Sequence, residues 1–203
     1  MIKRDRLILN RLVYREDLVV LECGAGPALV ASPILHSTRK LILVDPMAEM
    51  LDRYRKVFSG RKNIEVEYHN LAIGLTKKQS PFSIPPPAPN RRGQLVGRGW
   101  GFLTEGPSAP RERRQANVRK NWPTRMVNVA PLSTIDAGDI DVAVIDVEGN
   151  EWDVLQTMVS RPEIVCIEVN ANNTHKEDIF RWMEEEGYTL KKLSTPNYFF
   201  VRS

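Results

Sequence analysis

Four short runs built almost entirely from Val, Ile and Leu constrain this chain more than any other feature: Leu18-Val19-Val20-Leu21, Leu41-Ile42-Leu43-Val44, Val142-Ala143-Val144-Ile145 and Ile164-Val165-Cys166-Ile167. None alternates with polar residues, so each needs apolar cover on both faces. That is the environment of a strand inside a parallel sheet layered between helices. Ile64, Val66 and Tyr68 alternate along one more strand, third in chain order. Helical stretches separate the runs, and a parallel sheet covered by helices follows from the alternation. After the second run, Pro46 falls in a first helical turn, Met47, Met50, Leu51 and Tyr54 recur at helical spacing, and Gly60 stops the helix. Thr174 and Glu177 fit a capping box ahead of Ile179, Phe180 and Met183, with Gly187 at the end. Pro33 shortens any helix after the first strand. Tyr188 to Leu193 and Tyr198 to Val201, joined by Ser194-Thr195-Pro196-Asn197, predict a closing hairpin. The expected fold is a Rossmann-like α/β domain over residues 1–203, a mostly parallel sheet with helices on both faces and an antiparallel C-terminal edge.

The balance of 42% apolar and 27% charged residues suits one soluble globular domain. No apolar run nears the roughly 20 residues of a membrane span, and the start carries no signal-peptide core, so a cytoplasmic protein without membrane contact is expected. Cys23 and Cys166 both lie within apolar runs, which predicts buried reduced thiols and neither a disulfide scaffold nor a metal site.

Residues 81–125 break the pattern. They hold eight of the fourteen prolines and five of the twelve glycines. Nine basic residues against Glu105 and Glu112 give this segment +7, while the whole chain carries +4. A connection of this length is unusual in a compact domain unless it serves a function. We read it as a basic loop insertion between the third and fourth strands. Within it Arg91, Arg92, Arg98, Arg113 and Arg114, interleaved with Trp100, could hold phosphates or a planar anionic substrate, with nucleic acid as one such partner.

Ligands of open α/β sheets bind beyond the carboxyl ends of the strands. There the first strand runs into Glu22-Cys23-Gly24-Ala25-Gly26-Pro27, where glycines let backbone approach a ligand. The second strand ends at Asp45, 19 residues after Gly26, with a carboxylate able to accept hydrogen bonds from ribose hydroxyls. The pair points to an adenosine-containing cofactor. A dinucleotide would want a third glycine where Leu29 stands, and Glu22 opposes a pyrophosphate while favouring the ammonium and sulfonium of S-adenosylmethionine. Glu22 as a cap on a backbone amide is the alternative. Pro46 and Met47 continue this rim, and Asn70, Leu71 and Ala72 fall where an adenine would lie. His69 is a candidate general base. Asp146 and Glu148, on the same side of the fourth strand's end, could orient a hydroxyl and take its proton, and Glu168 and Asn170 add to the same rim.

The run from Ile145 to Leu155, Ile-Asp-Val-Glu-Gly-Asn-Glu-Trp-Asp-Val-Leu, resembles the signature of FkbM-type S-adenosylmethionine-dependent methyltransferases. Val44-Asp45-Pro46, Asn70-Leu71-Ala72-Ile73-Gly74 and Leu132-Ser133-Thr134-Ile135-Asp136 resemble further elements of that family in the same order. The resemblance implies transfer of methyl to a hydroxyl oxygen, with Asp45 on the ribose and Asp146 beside the methyl. Val144 stands where the family usually has Lys, and Gly24-Ala25-Gly26-Pro27-Ala28 replaces its usual turn. The expectation is a methyltransferase acting on a small or anionic hydroxyl acceptor. RNA methylation at a cap or ribose 2′ oxygen, and an inactive module that binds cofactor or RNA, are the alternatives.

Overall fold

The computed structural model describes residues 2–84, 86, 88–89, 95–96, 102–103, 122–171, 173–194 and 196–202. Helix α1 (Ile2–Leu12) leads into strand β1 (Leu18–Cys23), a short 3-10 turn (Ser32–Ser37), β2 (Thr38–Val44), α2 (Ala48–Phe58) and β3 (Glu65–His69). Strands β4 (Ala72–Ile73), β5 (Lys78–Ser83), β6 (Ala88–Pro89), β7 (Leu95–Val96), β8 (Phe102–Leu103) and β9 (Thr124–Ala130) come next. The chain closes with β10 (Val142–Ile145), α3 (Glu151–Thr157), β11 (Ile164–Glu168), α4 (Lys176–Glu185), β12 (Tyr188–Ser194) and β13 (Asn197–Arg202).

The four apolar runs form the middle of a seven-stranded sheet in the order β12-β13-β11-β10-β1-β2-β3. From β11 to β3 every pairing is parallel, and β13 runs antiparallel to both β11 and β12. Alternation along β1 divides the interior. Val19, Leu21 and Cys23 pack with Val154 and Leu155 of α3 and with Ile179 and Met183 of α4. Leu18 and Val20 pack with Leu9 of α1 and with Leu51, Tyr54 and Phe58 of α2. Helices therefore cover both faces, as the sequence predicts, and Cys23 and Cys166 are buried free thiols.

The structure departs from the sequence reading in four places. Helix α1 is an element the sequence reading does not predict. Helix α4 begins at Lys176 without a capping box: His175 is its N-cap and makes no side-chain cap bond. The Asn173 side chain accepts the His175 N–H at 2.9 Å and supplies the local turn in place of Thr174. Helix α2 begins at Ala48, beyond Pro46, because Asp45 Oδ1 takes the Met47 N–H at 2.7 Å and holds the intervening turn.

The fourth departure matters most for the site. Strands β4, β9, β5 and β8 form a second sheet, so both ends of the 81–125 segment lie in strands. Pro81 sits inside β5, opposite Met126 of β9. Ala72, Phe82, Leu103, Val127 and Val129 form this sheet's own apolar cluster.

At the carboxyl edge of the large sheet three strand ends are tied together. The Gly24 N–H donates to Val44 O at 2.9 Å, and the Asp146 N–H donates to Cys23 O at 2.9 Å. Gly24 has φ +81°, and a Cβ placed on it would lie 1.8 Å from the Asp146 carbonyl oxygen. The glycine is needed for this backbone contact. Gly24→Ala is expected to destabilise the fold by about 3 kcal/mol or more, combining left-handed strain with a clash against rigid backbone. Urea denaturation gives the value, and a loss below 1 kcal/mol, on the order of an ordinary surface change, would show that the strand ends can separate.

Candidate active site

An open cleft with about 540 Å³ of empty volume lies at this edge, lined by residues that include Gly24, Asp45, Met47, Leu71, Asp146 and Glu148. Its position, between β2 and β10 on either side of β1, is the point where strand order reverses.

One wall of the cleft is built by Asp45. Its Oδ2 accepts the Gly26 N–H at 3.1 Å, so the 19-residue spacing read from sequence is a direct contact between the two strand-end loops. Tyr54 secures the loop from below, its hydroxyl lying 3.1 Å from Ala25 O and 3.0 Å from Gly26 O. Burial raises the Asp45 carboxyl to about 6 despite both backbone donors. Each carboxylate oxygen has a second lone-pair direction, so the group retains capacity for a ligand hydroxyl. Pro46, Met47, Leu71 and Ala72 line the cleft beside it.

The opposite wall is the Asp146-Val147-Glu148-Gly149-Asn150 turn. Glu148 has φ +56° and Gly149 φ +113°, two consecutive left-handed residues. Backbone held in this region by a non-glycine residue is a form of strain that clusters at functional sites. Glu151 fastens the turn, accepting the Gly149 N–H at 2.8 Å through Oε1 and the Asn173 side chain at 2.7 Å through Oε2. Asn150 ties it to the second sheet by donating to Ile73 O at 3.2 Å. Burial pushes the Asp146 carboxyl well above the usual range, and the adjoining Glu168 carboxyl, hydrogen-bonded to it, pushes it further. Asp146 and Glu168 are side by side because Ile145 and Ile167 are partners in the β10–β11 ladder.

Other sequence candidates fall elsewhere. Glu22 is 2% exposed, and its Oε1 and Oε2 accept the Val30 and Ala31 N–H groups at 2.8 and 3.0 Å. It therefore lies behind the loop as a backbone cap and does not line the cleft. The His69 ring turns toward Glu67, with Nε2 3.4 Å from Oε2, and also lies off the cleft. Asn70 braces the loop by donating to Asp45 O at 3.0 Å. Glu168 is buried behind Asp146, and Asn170 donates to its Oε1 at 3.1 Å. Arg91, Arg92, Arg98, Trp100, Arg113 and Arg114 lie outside the described residues.

Sequence reasoning missed Phe82 and Leu103, which bring the second sheet to the cleft, and Asn150. Phe82 and Leu103 stand in a stretch whose prolines and glycines hid its strands. Asn150 stands inside the Asp146 to Glu151 run, where the neighbouring acids are the stronger chemical signal.

A family model described as the methyltransferase FkbM domain matches residues 23–190. No curated protein matches the chain in sequence. Among solved structures, a methyltransferase FkbM from Methylobacillus flagellatus superposes with a TM-score of 0.61 at 10% identity, covering 93% of this chain and 44% of that one. The present chain thus spans less than half the length of that protein. A ribosomal protein L11 methylase from Lactobacillus delbrueckii gives 0.52 at 8% identity over 100% of this chain and 79% of the other. At such identities the likeness is one of fold.

Burial places Glu22 and Glu151 at about 7 and Asp45 at about 6, above the ordinary carboxylate values of 4.5 and 3.8. Between pH 4.5 and 7 the unfolded chain releases these protons first, so it binds fewer protons than the folded state and folding stability falls as pH rises. The thermal midpoint is expected to decline across that window. A midpoint that climbs from pH 5 to 7 would show that these groups ionise at ordinary values in the folded protein.

Proposed function

Because this chain belongs to the FkbM methyltransferase family, we propose that it transfers methyl from S-adenosylmethionine to a hydroxyl oxygen of a small or anionic acceptor. The observation that carries the reading is the cleft with Asp45 on one wall and Asp146 on the other, at the reversal point of the sheet. The residues present fit the donor. Asp45 is a buried acceptor for ribose hydroxyls, and Met47, Leu71, Ala72 and Phe82 supply apolar walls for a flat ring. When bound, S-adenosylmethionine supplies an electrophilic methyl group on sulfonium.

The chain's own part is positioning and proton uptake. Asp146 lines the cleft where the acceptor hydroxyl would meet the methyl, and its elevated proton affinity suits it to accept the hydroxyl proton as the new oxygen–carbon bond forms. Glu168 shares that proton from behind, so the charge change is spread over two carboxyls. Glu148, on the strained turn, faces the same space. Orientation of the hydroxyl for in-line attack contributes most of the acceleration. Glu22 and His69 act through structure in this reading, by holding the 3-10 turn and the β3 edge.

The charge of +7 over residues 81–125 favours a second reading, in which the acceptor is RNA. An acceptor screen that includes neutral hydroxyl compounds and RNA at two salt concentrations separates them. Methylation that vanishes with rising salt points to phosphate contacts.

Calorimetry with S-adenosylmethionine and with NAD tests the cofactor. Binding of the methyl donor alone is expected, and Asp45→Ala is expected to weaken it by about 1–3 kcal/mol. Unchanged affinity in that variant would remove Asp45 from the ribose site. Asp146→Asn is expected to lower turnover by about 100-fold or more while leaving the melting temperature unchanged or higher, since a like-charge contact is removed. Full turnover in Asp146→Asn would exclude it as the proton acceptor.

A further inference from the structure

We propose that the groove between α1, the 3-10 turn and the C-terminal half of α2 is a second ligand site, one that takes a single-chain amphiphile with an oxyanion head, a fatty acyl carboxylate or an alkyl phosphate. The groove shares no lining residue with the cleft, so the assignment is independent of the donor and acceptor bound there.

The groove exists because one crossover is short of helix. Parallel strands are ordinarily joined through an α-helix, but residues 24–37, between β1 and β2, form only the 3-10 turn Ser32–Ser37. Pro33 stands in its first turn and lacks the N–H that a longer helix would use. The Val30 and Ala31 N–H groups are already spent on Glu22. A cavity of about 560 Å³ is left beside the turn, inside the roughly 300–1,000 Å³ of small-molecule sites. Its walls are fixed in advance: Arg6 Nε donates to Leu29 O at 2.9 Å, and the Tyr54 hydroxyl lies 3.1 Å from Ala25 O. A site that needs no ordering loses less free energy on binding.

The side chains define the ligand. Arg6, Arg61 and His36 line the groove, and no Asp or Glu does. Neither guanidinium forms an ion pair among the described residues, in contrast to Arg15, Arg55, Arg125, Arg161 and Arg181. Glu22 acts on Arg6 from behind the turn, but both its oxygens are held by backbone. A guanidinium fork matches the geometry of a carboxylate or a phosphate. Leu29, Leu35 and Val57 supply aliphatic wall, and Val57 is 53% exposed. The ring faces are taken: the Arg61 guanidinium lies over Phe58 at 5.3 Å, and Tyr54 is 6% exposed with its hydroxyl engaged. A base or an aryl acid finds no face to stack on, whereas an alkyl chain gains from aliphatic contact alone.

Calorimetry on the full chain, with each probe below its micellar concentration, tests the assignment. Dodecanoate or dodecyl phosphate is expected to bind, and whichever binds more tightly identifies the head. Dodecyltrimethylammonium has the same chain and the opposite charge, and is expected to bind about tenfold more weakly or not at all. Arg61→Gln removes a guanidinium and Val57→Glu adds a like charge beside the chain. Each is expected to weaken the anion about fivefold or more. Both positions are exposed, so parental melting temperatures are expected, and if one variant melts lower the other carries the test. Binding of neither anion, equal binding of the cation, inorganic phosphate binding as tightly as dodecyl phosphate, or affinity undiminished in both variants would overturn the site.

Discussion

The contact between Gly24 and the Asp146 carbonyl is the constraint on which the rest of this structure depends. Parallel strands β1, β2 and β10 end at the same level because backbone bonds from Gly24 to Val44 and from Asp146 to Cys23 stitch their last residues together. No side chain fits between them. Once the ends are joined, the two acids that follow β2 and β10 are carried to opposite walls of one cleft, and the loop between them is positioned by Asp45 itself. The sheet supplies the placement, and the side chains supply only the chemistry.

That placement has an electrostatic consequence. Glu22, Asp45, Asp146 and Glu151 are all nearly buried near one sheet edge, and burial raises the proton affinity of each. Three of them are partly compensated by backbone N–H donors, which explains why the loops around them are built from turns that expose amides. Asp146 is different: its principal neighbours are other carboxyls. Carboxyls that raise one another's proton affinity in this way cluster at functional sites, and the Asp146–Glu168 pair marks this edge of the sheet as one.

The sheet's centre was legible because double-sided burial leaves a simple trace, an unbroken apolar run in which no position can be polar. The spacing from Gly26 to Asp45 was legible for a related reason, since a parallel crossover of fixed length returns the chain to the same edge. What was hidden depended on partners far along the sequence. β5 contains Lys78, Gln79 and Pro81 and takes its strand form from pairing with β9, some fifty residues away. Glu22 looked like a cofactor ligand because its position at the strand end was clear while its hydrogen-bond partners at Val30 and Ala31, eight and nine residues on, were not. His69 sits at the expected strand end, but its side chain points to Glu67 and the choice of face is a tertiary one.

The departure at Val144 ties these threads together. Val144 is the β10 partner of Glu22 in the parallel ladder, and it packs in the apolar cluster that also holds Val20 and Cys166. A lysine at that place, as in the signature this stretch resembles, would stand beside the Glu22 carboxylate. Here the cation is absent, and the compensation of Glu22 has moved to the Val30 and Ala31 amides, with Arg6 of α1 acting from farther away. Arg6 in turn donates through Nε to Leu29 O at 2.9 Å, so α1 is attached to the same turn that caps Glu22. An acid that a cation would hold charged is thus held by backbone and left close to neutral, and the first helix becomes part of the support of the cleft's rear wall.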